Sequence, residues 1–216
     1  MPPRSSESRI ALISTLVLVA TCVLLYGRTP GFAYVWDDYL IFLDNAALLN
    51  APLSWSLLST PILPGTSYFR PLVLFSWFAE FRLAGQNPAI SHGINLAIYT
   101  INVLLVYLLA RRYFAATRDT PRAMLPLASA FLYAIHPSLV EATAWVSGRF
   151  DLMVTTFILA SACLALSARI DTRAKALAIF MTTLGALFSK ELGIVIPGIL
   201  ACLWLATENP PKIFSR

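Results

Sequence analysis

Six long apolar runs separated by charged segments leave this chain few ways to fold. They cover residues 10–27, 91–110, 123–136, 150–168, 174–189 and 192–207. A bilayer core about 30 Å thick is crossed by roughly 20 mostly apolar residues in a helix. In lipid the backbone must satisfy its own hydrogen bonds, so runs of this kind become helices. The third and fifth runs are short and draw on flanking residues. With 58% hydrophobic and 12% charged residues, the chain has little with which to build a water-exposed surface. The expected fold class is an all-α integral membrane protein, one membrane domain over 1–216 with about six transmembrane helices. A secretory signal peptide competes for the first run because Arg4 and Arg9 precede it, but no small-x-small cleavage site follows Tyr26.

The basic residues orient these helices. With a cytoplasmic N-terminus, the inner segments hold Arg4, Arg9, Arg111, Arg112, Arg118, Arg122, Arg169, Arg173, Lys175, Lys212 and Arg216. The opposite side holds Arg28, Arg70, Arg82, Arg149 and Lys190, so eleven basic residues stand against five. Both termini are then cytoplasmic, the membrane being expected to be a bacterial inner one. This placement also accounts for the net charge of +5 without nucleic acid as a partner. The outer side receives Asp37, Asp38, Asp44, Glu80, Glu141, Asp151 and Glu191 as well. Charges of both signs beside lipid are costly to desolvate, and they either pair or serve a substrate.

The longest stretch between spans, residues 28–90, is too long for a simple connection and too aromatic for a disordered linker. Pro52, Pro61 and Pro64 divide it into short pieces. Its last part, YFRPLVLFSWFAEFRLAG, predicts an in-plane interfacial helix over about 69–84 with Pro71 in its first turn. Trp55, Trp77, Trp145 and Trp204 are expected as interface anchors or packing residues.

Asp37 and Asp38 are neighbouring carboxylates among aromatic residues. One can act as a general base while the other orients a partner, and desolvation with like-charge repulsion would raise one pKa. A helix cap or solvated turn explains such a pair equally well. Arg70, Arg149 and Lys190 come from three segments on the same side and together could hold a phosphate. Alternatively Arg149 pairs with Asp151 or Glu141, and Lys190 with Glu191, as structural ion pairs. His136 precedes a proline at a helix end, where bonding to backbone or to Glu141 is its expected duty. His92 has no second ligand at metal spacing, and no metal site is expected. Cys22, Cys163 and Cys202 lie in apolar runs and form no disulfide framework.

Taken together, YVWDDYLIFLDN, YFRPL, SHGIN, HPSLVEATAWVSGRFDLM and SKELGI resemble the tetratricopeptide-containing transmembrane O-mannosyltransferases and their bacterial relatives, of the GT-C class of glycosyltransferases. The resemblance runs from about residue 10 to 205, and HPxxxEAxxWxxGRxD is its most specific part. It implies a polyprenyl-phosphate sugar as donor, a hydroxyl acceptor such as a protein side chain, and transfer with inversion on the non-cytoplasmic face. Asp37 or Asp38 would then be the base. Arg149 and Lys190, with Arg70 in reserve, would hold the lipid phosphate, and His136, Glu141, Asp151 and Glu191 would support them or contact the sugar. The resemblance says nothing of a divalent metal.

Members of that family also carry more spans and a C-terminal repeat domain, whereas this sequence stops at ENPPKIFSR soon after the sixth run. Three readings follow: a minimal or fragmentary enzyme, a chain whose other half is a separate polypeptide, or a degenerate copy kept as a structural subunit of a larger membrane complex. The orientation has a direct test. A periplasm-dependent phosphatase fused after residue 90 should be active and a fluorescent protein fused after residue 115 should glow in the cytoplasm; the opposite pattern refutes the arginine and lysine count.

Overall fold

The computed structural model describes residues 4–45, 50–61, 65–117, 124–168 and 170–208. Pro64, Arg118, Asp119, Arg122, Arg169, Lys212, Arg216 and the side chain of Arg4, all used in reading the sequence, lie outside what is described. The described residues form no strand. Seven main helices are α1 (Arg4–Tyr26), α2 (Pro71–Ala84), α3 (Pro88–Thr117), α4 (Met124–Ala134), α5 (Arg149–Ala165), α6 (Thr172–Leu187) and α7 (Ile196–Glu208). Their limits have local causes. Pro71 occupies the first turn of α2, where a missing N–H costs nothing, and Gly85 ends it with a φ of 67°. The Asp171 carboxylate caps α6 by accepting from the N–H groups of Arg173 and Ala174.

This is an all-α membrane protein. Three helical segments, Glu7–Gly31, Pro88–Thr117 and Val146–Ala165, are long and apolar enough to cross a bilayer. Met124–Ala134 and Glu191–Thr207 are apolar but shorter, and α6 has 16 residues. Leu12, Leu16, Leu24, Phe180, Met181 and Trp204 stay exposed on the helix surfaces. In water such faces would be a liability, but in hydrocarbon they are the solvent-facing side.

The longest helix, α3, organises the rest, packing against α1, α4 and α5, while α5 in turn carries α6 and α7. Leu18, Cys22 and Tyr26 of α1 meet Tyr99, Val103 and Tyr107 of α3, with Ala130 and Ala134 of α4 and Leu152 of α5 completing the cluster. A polar stripe runs through this packing: Ser91, Asn95 and Asn102 are all buried on α3. Asn102 donates to the Leu152 carbonyl at 2.9 Å and accepts from the Thr156 hydroxyl at 2.7 Å. The Tyr99 hydroxyl donates to the Ala134 carbonyl at 2.5 Å. Lipid gives helices no hydrophobic reason to associate, so bonds of this kind, about 0.6 kcal/mol each, specify which faces meet.

The first loop folds back onto one end of the helices. Tyr34, Ile41 and Phe42 form a second core with Val73, Leu74 and Trp77 of α2 and with Val146. Tyr34 stacks on Phe42 with ring centres 4.9 Å apart, and Phe42 meets Trp77 edge-on at 5.4 Å. The N–H of Leu72 donates to the Phe188 carbonyl at 3.1 Å, joining the start of α2 to the end of α6. In this way α2 is held by the bundle and the loop together.

Gly148 shows how tight the junction before α5 is. A methyl group there would lie 2.6 Å from the Ala142 carbonyl oxygen and 2.8 Å from its Cα, so backbone, which cannot swing aside, excludes it. Gly148→Ala should therefore cost about 1–3 kcal/mol, the range of overpacking. Thermal unfolding in mild detergent should show the loss, and a midpoint equal to the parent's would show that the junction yields.

Candidate functional site

Three ion pairs at one end of the bundle connect segments far apart in sequence. The Arg149 guanidinium, with no exposed surface, pairs through Nη1 with Glu80 Oε2 of α2 at 2.6 Å. Its Nε donates to Asn95 Oδ1 at 2.9 Å and its Nη2 to the Ser91 carbonyl at 3.1 Å. Ser91 Oγ also donates to Glu80 Oε1 and lies 3.2 Å from the Tyr34 hydroxyl. Asn95 Nδ2 reaches the carbonyls of Trp145 and Val146 at 2.9 and 3.1 Å. Loop, α2, α3 and the start of α5 thus close on one buried charge.

The other two pairs lie nearer the surface. Arg70 Nη2 meets Glu191 Oε2 at 3.0 Å, and Lys190 Nζ meets Asp151 Oδ1. Both cations sit over one ring: the Arg70 guanidinium carbon is 4.5 Å and Lys190 Nζ 5.2 Å from the centre of Phe150. Tyr68 lies under Arg70 as well, at 4.4 Å. Lys190 and Asp151 are both partly exposed, so their contact is screened and worth at most about 1 kcal/mol, whereas Arg70 is itself buried and only its partner Glu191 is exposed. An incoming anion can replace Asp151 at Lys190 at little cost.

These partners differ from the ion pairs the sequence allowed. Arg149 joins Glu80 rather than Asp151 or Glu141, and Lys190 joins Asp151 rather than Glu191, because α2 tucks Glu80 beneath the loop and α6 ends beside the first turn of α5. The expected direct clamp on a lipid phosphate by Arg149 meets a physical obstacle: its burial and its protein partners leave no side open. Arg70 and Lys190 are the cations placed together.

The acidic pair divides. Asp38 is fully buried, and its Oδ1 accepts from the Ser147 N–H at 2.9 Å and hydroxyl at 2.5 Å, while Oδ2 accepts from the Val35 N–H at 3.1 Å. Burial pushes its carboxyl above the ordinary value, opposed by those hydrogen bonds. Asp37 is half-buried, with no hydrogen bond or ion pair among the described residues. Before it, Trp36 holds a φ of 51°, the left-handed region that a large side chain enters only under constraint. Trp36 meets Trp145 edge-on at 6.0 Å, and Trp145 meets Phe150 at 6.2 Å. A chain of three rings thus connects the backbone at Asp37 with the Arg70 and Lys190 cations.

His136 is exposed, and its Nδ1 accepts from the Ser138 N–H at 3.3 Å, capping the turn that follows. Glu141 is exposed in Val140–Ala144 and faces a cavity of about 290 Å3 that Asp151 and Trp145 also line. No group of three potential ligands for a metal occurs among the described residues. Glu80, Ser91, Asn95 and Ser147 are the residues that sequence reasoning passed over. A signal existed for two of them: Ser91 and Asn95 are four apart on an apolar helix, hence on one face, and polar groups on such a face point to protein rather than lipid.

Comparison with known proteins bears on this arrangement. No family model and no solved structure matches the chain. Its curated relatives include the protein O-mannosyl-transferase Tmtc1 of Drosophila melanogaster, 31% identical over 62% of this chain and 16% of that protein. The protein O-mannosyl-transferase TMTC1 of Homo sapiens is 27% identical over 68% of this chain and 17% of its own. The protein O-mannosyl-transferase F38B6.6 of Caenorhabditis elegans is 23% identical over 99% of this chain and 31% of its own. The chain therefore spans about a sixth to a third of these relatives, and the resemblance read from its motifs holds over that part.

The buried pair carries a sharp expectation. Removing one partner strands a charge, so Glu80→Gln and Arg149→Met should each lose about 3–5 kcal/mol, whereas the double variant should recover part of it. Unfolding of the three in detergent decides this, and single variants as stable as the parent would show that the pair anchors nothing.

Proposed function

We propose that this chain transfers a sugar from a polyprenyl-phosphate donor to a hydroxyl acceptor on the outer face of a bacterial inner membrane. On this reading six helices cross the bilayer and both termini are cytoplasmic. The observation that carries the proposal is that Trp36, the neighbour of half-buried Asp37, is linked through Trp145 to Phe150, which supports two cations. The relatives' names add mannose as the sugar and a protein hydroxyl as the acceptor.

The chemistry needs three things at once. The acceptor oxygen attacks the anomeric carbon as the bond from that carbon to the phosphate oxygen breaks; the electron pair leaves with the phosphate, and the hydroxyl proton passes to a base. Asp37 is that base, since its carboxylate is open to an acceptor. Arg70 and Lys190 exchange Glu191 and Asp151 for the leaving phosphate, whose growing charge they stabilise. Asp38 holds the loop through Ser147, and Arg149 holds the junction through Glu80, so both act as positioning residues. Attack from the face opposite the leaving group inverts the anomeric centre.

A second reading is favoured by one feature: every one of these cations already has a carboxylate partner. A degenerate copy serving as a structural subunit of a larger membrane complex would keep those pairs and lose transfer. The two readings part in an assay with polyprenyl-phosphate mannose and a serine- and threonine-containing peptide. Asp37→Asn should lower the rate about 10²–10⁴-fold, the usual share of a general base, with unfolding unchanged. Lys190→Gln should lower kcat as well as raise the donor KM, because the lysine both holds the phosphate and stabilises its growing charge. Transfer by Asp37→Asn at the parent's rate refutes the assignment, and an inactive parent favours the structural subunit.

A further inference from the structure

A recess of about 290 Å3 opens between the end of α4, the turn Val140–Ala144 and the first turns of α5. Its wall includes Tyr133, Ser138, Glu141, Trp145, Asp151 and Thr155. The composition is unlike the lipid-facing surfaces: two carboxylates and several hydroxyl groups surround one side of an indole. Trp145 supplies the indole of the lining. The volume lies at the lower end of ligand pockets, enough for one small ring and too little for a peptide.

The position of the recess matters as much as its lining. Asp151 borders it and also holds Lys190, so one carboxylate is shared between cavity and cation pair. Trp145 borders it and also touches Trp36, the neighbour of Asp37. The recess thus shares one residue with the cation pair and one ring with the aromatic chain that starts beside Asp37.

We infer that this recess is a pyranose-binding pocket, in which Glu141 and Asp151 accept hydrogen bonds from ring hydroxyls while the apolar face of the sugar lies against Trp145. This rests on the proposed donor reading and deepens it: the phosphate belongs to Arg70 and Lys190, the sugar to the recess. Asp151 has two duties. It faces Lys190 while the site is empty, and when phosphate takes Lys190 it is released toward the sugar. A carboxylate that accepts from two neighbouring hydroxyls distinguishes hexoses by the orientation of those hydroxyls, so selectivity for the sugar arises here and not at the cations.

The test uses the full chain in nanodiscs and two independent readouts. Saturation-transfer NMR with methyl α-D-mannopyranoside should show contact to ring protons in the parent, and Glu141→Gln and Thr155→Val should weaken it. In parallel, binding of polyprenyl-phosphate mannose is compared with that of bare polyprenyl phosphate. The parent should favour the sugar-bearing lipid, and Glu141→Gln should cut that preference about tenfold, the scale of one hydrogen bond to a charged group, while bare-lipid affinity holds. No saturation transfer to the glycoside, or both variants equal to the parent in both measurements, overturns the pocket. Glycoside contact that the variants remove, with neither lipid bound, upholds the pocket and instead overturns the donor reading.

Discussion

A guanidinium with no exposed surface in a membrane protein has to be answered by protein, and one end of this molecule is built around that demand. Arg149 is answered by Glu80, Asn95 and the Ser91 carbonyl, which lie on two other helices. Each partner is itself fixed: Glu80 by Ser91, and Asn95 by the carbonyls just before α5. Desolvating these charges is expensive, so the network is weak evidence of net stability, while losing either member of the ion pair would leave a buried charge unanswered. The surrounding apolar faces are interchangeable by comparison, because lipid competes with them on equal terms.

From that junction the remaining geometry follows. With Gly148 pressed on Ala142 and Ser147 held by Asp38, the loop can reach the helix ends in one register, leaving Trp36 in a constrained conformation and Asp37 open. The burial that fixes Arg149 also withdraws it from ligands. Lys190 has the reverse balance, with a screened pair and partial exposure, and it shares the support of Phe150 with the buried Arg70. One sealed pair, one buried arginine with an exposed carboxylate and one exchangeable pair give a preorganised site.

Much of this was legible in the residues. Apolar runs mark helices because a lipid solvent admits little else, and Pro71 and Gly85 bracket α2 where a first-turn proline and a left-handed glycine belong. That charges from different segments come together was also readable, since the sequence expects them on one membrane side; the structure gathers Arg70, Glu80, Arg149, Asp151, Lys190 and Glu191 into ion pairs. Their pairing was not. Which carboxylate meets Arg149 depends on how α2 lies across α3, a tertiary fact, and Glu80 was one of several acidic residues with nothing local to mark it as the partner. Likewise the DD dipeptide does not say which aspartate is buried: Ser147, 109 residues away, selects Asp38. The short lengths of α4, α6 and the Glu191–Thr207 helix left the number of crossings to more than composition.

The central claim is that the leaving phosphate binds the two cations supported by Phe150 and not the sealed arginine. Cryo-electron microscopy of the chain in nanodiscs with polyprenyl-phosphate mannose reads this directly. Phosphate density within hydrogen-bonding distance of Arg70 and Lys190, with Arg149 still on Glu80, is the predicted result; phosphate bound to Arg149 with Glu80 displaced would contradict it.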